Sequence, residues 1–147
     1  MRRKKRKGSG RFVSIPHVIL DSAAWKSLSS DACRLYVELK RRHNGQNNGF
    51  ITLSYREAAQ VINGGKSTAY ARMQELQEHG FVRMVNKGQF QNRHATTWLL
   101  TTESDDRANH HPTNDWKNYA STESEKKNAS SGTGTDSTST RTVSHHA

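Results

Sequence analysis

From residue 12 onward, apolar residues fall in blocks whose spacing switches between helical and alternating. Ser22–Leu28, with Ala23, Ala24, Trp25 and Leu28, predicts a short leading helix. A second helix is predicted from Ser30 or Asp31, both good N-caps, because Ala32, Leu35, Tyr36 and Leu39 repeat at i, i+3, i+4, i+7. It should end at Lys40-Arg41-Arg42-His43, where positive charge meets the negative end of the helix dipole, and Asn44-Gly45 stops it. Phe50–Leu53 predicts a short strand. Ser54-x-x-Glu57 is a capping box, and Tyr55, Ala58, Ala59 and Ile62 behind it form the buried stripe of a two-turn helix. After the turn Asn63-Gly64-Gly65, a longer helix is predicted over Lys66–His79 with Ala69, Met73 and Leu76 inward, ended by Gly80. Phe81–Val85 and Ala95–Thr101 predict a hairpin whose loop, Asn86–Asn92, contains Gly88.

This order gives an α+β fold class: a winged helix-turn-helix with a three-helix core, a short leading helix and a small antiparallel sheet. The expected organisation is a disordered basic arm over 1–11, the domain over 12–101 and a disordered Ser/Thr-rich tail over 102–147. Trp116 and Tyr119 are the tail's only aromatic residues, read as incidental or as a short partner-docking motif. There are no internal repeats.

Charge sharpens the picture. Of the formal net charge of +10, residues 1–11 supply +7 through Arg2, Arg3, Lys4, Lys5, Arg6, Lys7 and Arg11. Residues 12–101 carry 11 basic and 6 acidic residues, and 102–147 carry 5 basic and 7 acidic. Positive charge on the arm and the domain points to a polyanionic partner, with nucleic acid first among them. Cys33 is the single cysteine, which excludes an internal disulfide and a cysteine-based zinc site. The basic start lacks a signal-peptide apolar run, and no segment approaches the ~20 apolar residues of a membrane helix. The expected setting is the cytoplasm and not the membrane.

Two helices joined by a glycine turn form a helix-turn-helix unit, whose second helix reads the major groove with its leading residues. Here those are Lys66, Ser67 and Thr68, followed by Tyr70, Ala71, Arg72 and Gln74. Lys66 suits phosphate or guanine, the hydroxyls suit phosphate or base edges, and the Thr68 methyl suits thymine. Ala71 allows close approach, and Gln74 suits adenine. The hairpin loop is the candidate wing. Lys87, Gln89 and Arg93 are its candidate phosphate or minor-groove contacts, beside Gln91, Asn92 and His94. The arm, Arg2 to Lys7, would follow the minor groove or add affinity by counterion release.

The stretch Gly65-Lys66-Ser67-Thr68-Ala69-Tyr70-Ala71-Arg72-Met73-Gln74-Glu75-Leu76-Gln77-Glu78-His79-Gly80-Phe81-Val82 resembles the recognition helix and first wing strand of winged-helix proteins of bacteria, plasmids and phages. The opening Phe12–Pro16 and Asp21–Trp25 resemble small proteobacterial members related to plasmid replication. Gly65 departs from the pattern, since such proteins often carry Ser or Thr there. The resemblance implies DNA binding in transcription regulation, with a plasmid or phage replication or partition accessory role as the alternative.

Other signals point nowhere further. Gly64-Gly65-Lys66-Ser67 lacks the earlier glycine of a P-loop, since Gln60 stands in its place, and follows a helix instead of a strand. His110-His111 and His145-His146 are adjacent pairs with poor metal spacing, and no carboxylate pair suggests acid–base catalysis. The reading is therefore a non-enzyme with no cofactor, no metal and no evident small-molecule site. A homodimer stays open, as do RNA binding through the arm and a protein-interaction module that does not bind DNA.

Overall fold

Serines set where three of the helices begin. The computed structural model describes residues 10–89 and 91–119. The helices are α1 (His17–Leu20), α2 (Ala23–Lys26), α3 (Ser30–Arg42), α4 (Tyr55–Ile62) and α5 (Lys66–Glu78). The strands are β1 (Ile51–Thr52), β2 (Val82–Asn86) and β3 (Thr97–Leu100). Ser22 accepts from the Trp25 N–H and Ser29 from the Ala32 N–H. Ser54 and Glu57 complete the reciprocal capping box that the sequence spells. Ser29, not Ser30 or Asp31, is therefore the N-cap of α3. The leading helix expected over 22–28 is α2, capped by Ser22 and ended where the Ser27 hydroxyl bonds back to Ala23 O, and α1 is a further short helix before it that was not expected.

The sheet is antiparallel in the order β1-β3-β2. Ile51 and Met84 flank Trp98, and Val82 faces Leu100. Phe81 lies outside the strand because its N–H still donates to Leu76 O, completing the turn after α5. The helical stripes pack on the sheet's inner face, where Leu35, Tyr36, Leu39, Met73, Leu76 and Trp98 are fully buried. Trp25, Tyr36 and Phe81 meet edge to face with centroids 5.3–5.8 Å apart, a geometry that suits their ring quadrupoles. The whole is an α+β arrangement compatible with a winged helix.

The boundary expected at residue 101 is corrected. Residues 102–119 pack on the domain, because the fold offers them a specific seat. Trp116 is 7% exposed and stacks on Phe81 at 6.4 Å. Gly80 (φ 80°) makes room for it, since a Cβ there would lie 2.6 Å from the Trp116 nitrogen. Asp115 pairs with Arg83 at 2.6 Å, and the Asn114 N–H donates to Thr101 O. Fully buried Asn48 fastens the turn after β3: its Oδ1 accepts from the Leu100 N–H, and its Nδ2 donates to the carbonyls of Leu100, Glu103 and Ser104. Four polar backbone groups are satisfied at one buried side chain. Arg2–Lys7 and His145-His146 lie outside the described residues.

Candidate nucleic-acid interface

Helices α4 and α5 are joined by Asn63-Gly64-Gly65, where Asn63 adopts φ 52° as the left-handed cap of α4. Burying Ala69, Met73 and Leu76 turns the opposite side of α5 outward. Lys66, Ser67, Thr68, Tyr70 and Ala71 are all exposed, as are Asn63, Gly64 and Gly65 before them. Ser67, Tyr70, Ala71 and Gln74 share one outward face by helical spacing.

The start of α5 differs chemically from those of α3 and α4. Gly65 is its N-cap and supplies no side-chain acceptor. The N–H groups of Lys66, Ser67 and Thr68 find no acceptor among the described residues. They form a concentrated donor set at the positive end of the helix dipole. Gly65 itself has φ −81° and ψ 162°, and a Cβ there would meet nothing within 4 Å. The chain's own packing therefore does not require glycine at this position.

The wing is a closed hairpin. Beyond β2 and β3, Gln89 and His94 exchange backbone bonds of 3.0 and 3.2 Å. Arg93 takes φ 52° at the tip. Gln91, Asn92 and Arg93 are exposed, as are Lys87 and Gln89, and the Asn92 amide donates to Gln89 Oε1. Gly88 is needed because a Cβ would press within 2.9 Å of His94 O on the facing side of the hairpin.

Charge pairing separates two kinds of cation. Lys40, Arg41, Arg42, Arg72 and Arg83 are bound to carboxylates. Lys66, Lys87 and Arg93 form no ion pair among the described residues, and the same holds for Arg56 on α4 and for Arg34 elsewhere. The chain has no acid between Ala58 and Gln74, and none between His79 and Thr102. The amino end of α5 and the wing are thus free of nearby carboxylates in sequence.

Arg72 sits differently from the other predicted contacts. It is half-buried and donates to Glu75 Oε2 at 2.8 Å, with Ser29 Oγ 3.5 Å away. Glu75 also accepts from the Ser29 N–H at 2.6 Å and from the Ser29 hydroxyl. Burial alone would raise the Glu75 pKa, but these donors outweigh it and hold the carboxyl below its ordinary range. Arg72 is thereby engaged in joining α5 to α3. Gln74 is half-buried and accepts from Gln77 Nε2 at 2.6 Å.

Two residues that sequence reasoning passed over lie beside this face. Arg56 is exposed on α4, and a basic residue in the first turn of the leading helix of the unit was a signal in plain sight. Tyr55 packs against Tyr70, with ring centroids 5.1 Å apart; only the fold brings these two together. Among the described residues, no group of three or more His, Cys, Asp or Glu side chains is placed to hold a metal ion, and no helix is long and apolar enough to cross a membrane. The Cys33 thiol is pushed up in pKa by burial and by Glu75, the opposite of activation.

No family model matches the chain, and no curated protein matches it. A solved structure described as "Structure of Rep-DNA complex" is similar over 62% of this chain and 75% of that chain, at 21% identity and a TM-score of 0.46. A likeness that slight carries no functional weight.

Proposed function

We propose that this protein binds double-stranded DNA as a winged helix-turn-helix protein, with the amino end of α5 in the major groove and the wing on flanking phosphates or the minor groove. The observation that carries the reading is the uncapped, exposed start of α5. Three free N–H groups, Lys66 and two hydroxyl residues are gathered in this first turn, with no acid nearby in sequence. Such a terminus is complementary to a phosphate or an electronegative base edge. The unpaired Lys87 and Arg93 on the wing and Arg56 on α4 supply further positive charge for the backbone of the same duplex. The +7 arm adds sequence-independent affinity.

The biological role we propose is transcription regulation, with a replication or partition accessory as the rival. Mapping bound sites across the host genome chooses between them: promoters favour the first, and repeats beside a replication origin favour the second. Molecular reading is tested by replacing Lys66 and Ser67 with alanine. Affinity for a selected site should fall more than affinity for random duplex. Equal loss on all sequences contradicts recognition by α5.

A further inference from the structure

We propose that the outward face of α5 is built to contact thymine methyl groups, with Tyr70 as the contacting side chain and Tyr55 as the positioning residue behind it. This rests on the DNA reading above and extends it to a base preference. The polar residues of the face lie at its ends, Ser67 one turn before Tyr70 and Gln74 one turn after. Its middle is apolar, formed by Tyr70, 50% exposed, and by exposed Ala71. In the major groove the C5-methyl of thymine is the apolar feature that distinguishes one base from the others. Setting the carbon face of the Tyr70 ring against any other base edge would desolvate donors or acceptors without pairing them, since only its hydroxyl can pair.

Tyr70 is also held in place. Its ring lies against Tyr55 at 5.1 Å with a 56° tilt, and Tyr55 meets Trp98 edge-on at 6.2 Å. Trp98 is fully buried and donates through Nε1 to Leu53 O at 2.9 Å. The three rings form a ladder from the centre of the sheet to the surface of α5. A side chain fixed this way loses little freedom on binding, which favours discrimination by small contacts. The Tyr55 hydroxyl is enclosed and has no partner among the described residues. The ring, not the hydroxyl, is therefore what Tyr55 contributes to the ladder.

The test uses the full chain and duplexes selected from a random pool. Each thymine of the best site is replaced in turn by deoxyuridine, which removes only the methyl, and affinity is read by fluorescence anisotropy. At one or two positions the wild type should weaken about fourfold, the transfer free energy of one buried carbon. Tyr70→Ala should lose that thymine-to-uracil ratio, and Tyr55→Leu should reduce it. Tyr55→Phe should keep it, with no loss of thermal midpoint. A wild type that selects duplex sites yet binds thymine and uracil equally at every position overturns the inference while leaving DNA reading intact. So does a Tyr70→Ala variant that retains the full ratio. Absence of any sequence-selective duplex binding by the wild type overturns both.

Discussion

Replacing Gly65 with aspartate separates what α5 needs for stability from what it needs for a ligand. The backbone at Gly65 lies in the extended region open to any residue, and a Cβ meets nothing within 4 Å. An aspartate there can accept from the Ser67 or Thr68 N–H and places negative charge at the positive end of the dipole. Capping and dipole effects together stabilise by about 0.5–1.5 kcal/mol, which for a domain of this size raises Tm by roughly 2–6 °C. Against DNA the same carboxylate does harm. It occupies the free N–H groups and stands roughly 5 Å from an incoming phosphate, a repulsion of about 1–3 kcal/mol at effective dielectric constants between water and a protein surface. Binding should weaken by about five- to a hundredfold. Differential scanning fluorimetry gives the first quantity, and anisotropy with a labelled duplex at fixed salt gives the second. Gly65→Ser is the control, since it adds a cap without charge and should lose much less affinity. A Gly65→Asp protein that is more stable and binds DNA as well as the wild type would refute the placement of this helix end against the duplex.

Three further outcomes follow from the packing and charge. Trp116→Ala should destabilise by about 2–4 kcal/mol, because a nearly buried aromatic ring leaves its seat on Phe81; a thermal midpoint within a degree of wild type would show that residues 102–119 contribute nothing to the fold. The carboxyls of Glu38, Glu57 and Glu75 are held low, chiefly by Arg41 for the first, by the Ser54 N–H for the second and by Ser29 and Arg72 against burial for the third. Groups with lowered folded pKa stabilise above the ordinary carboxylate range, and that stability is lost as pH falls through their folded values, so Tm should drop steeply below about pH 4 and less steeply in Glu75→Gln. Arg93→Ala should weaken binding by a similar factor on all duplexes and flatten the salt dependence by about one unit of slope, whereas a sequence-dependent loss would make the wing a base reader.

How much of this was legible in the sequence differs from element to element. Helix α4 was, because its signals are local: Ser54 and Glu57 three apart, then a stripe of four apolar residues. The buried face of α5 was legible for the same reason. The start of α3 was placed one or two residues late, because the sequence offered Ser29, Ser30 and Asp31 in a row and only Ser29 presents its hydroxyl to the Ala32 N–H. The fold of residues 102–119 was not legible at all. Their composition is that of a solvated tail, and their order depends on groups far away in sequence: Gly80, Phe81, Arg83 and the buried amide of Asn48.

The candidate site divides along the same line. Ser67 and Ala71 lie exposed because helical periodicity places them opposite the buried stripe, Thr68 and Tyr70 lie on its two flanks, and Lys66 is exposed because it is the first residue of the helix. Arg72 looked equally available, but its charge is taken up by Glu75 three residues on and by the cap of α3, a partner 43 residues earlier. The i, i+3 spacing of Arg72 and Glu75 was the one local hint. Tyr55 could not have been found, since its role depends on the approach of α4 to α5.

Backbone amide NMR of the full chain during titration with a selected duplex tests the central claim most directly. The largest shifts should fall on Lys66, Ser67 and Thr68, followed by Tyr70, Ala71 and the wing at Gln91–Arg93, with Asn48 and Trp116 nearly unmoved. Shifts concentrated on α3 or on residues 102–119, with the start of α5 silent, would contradict it.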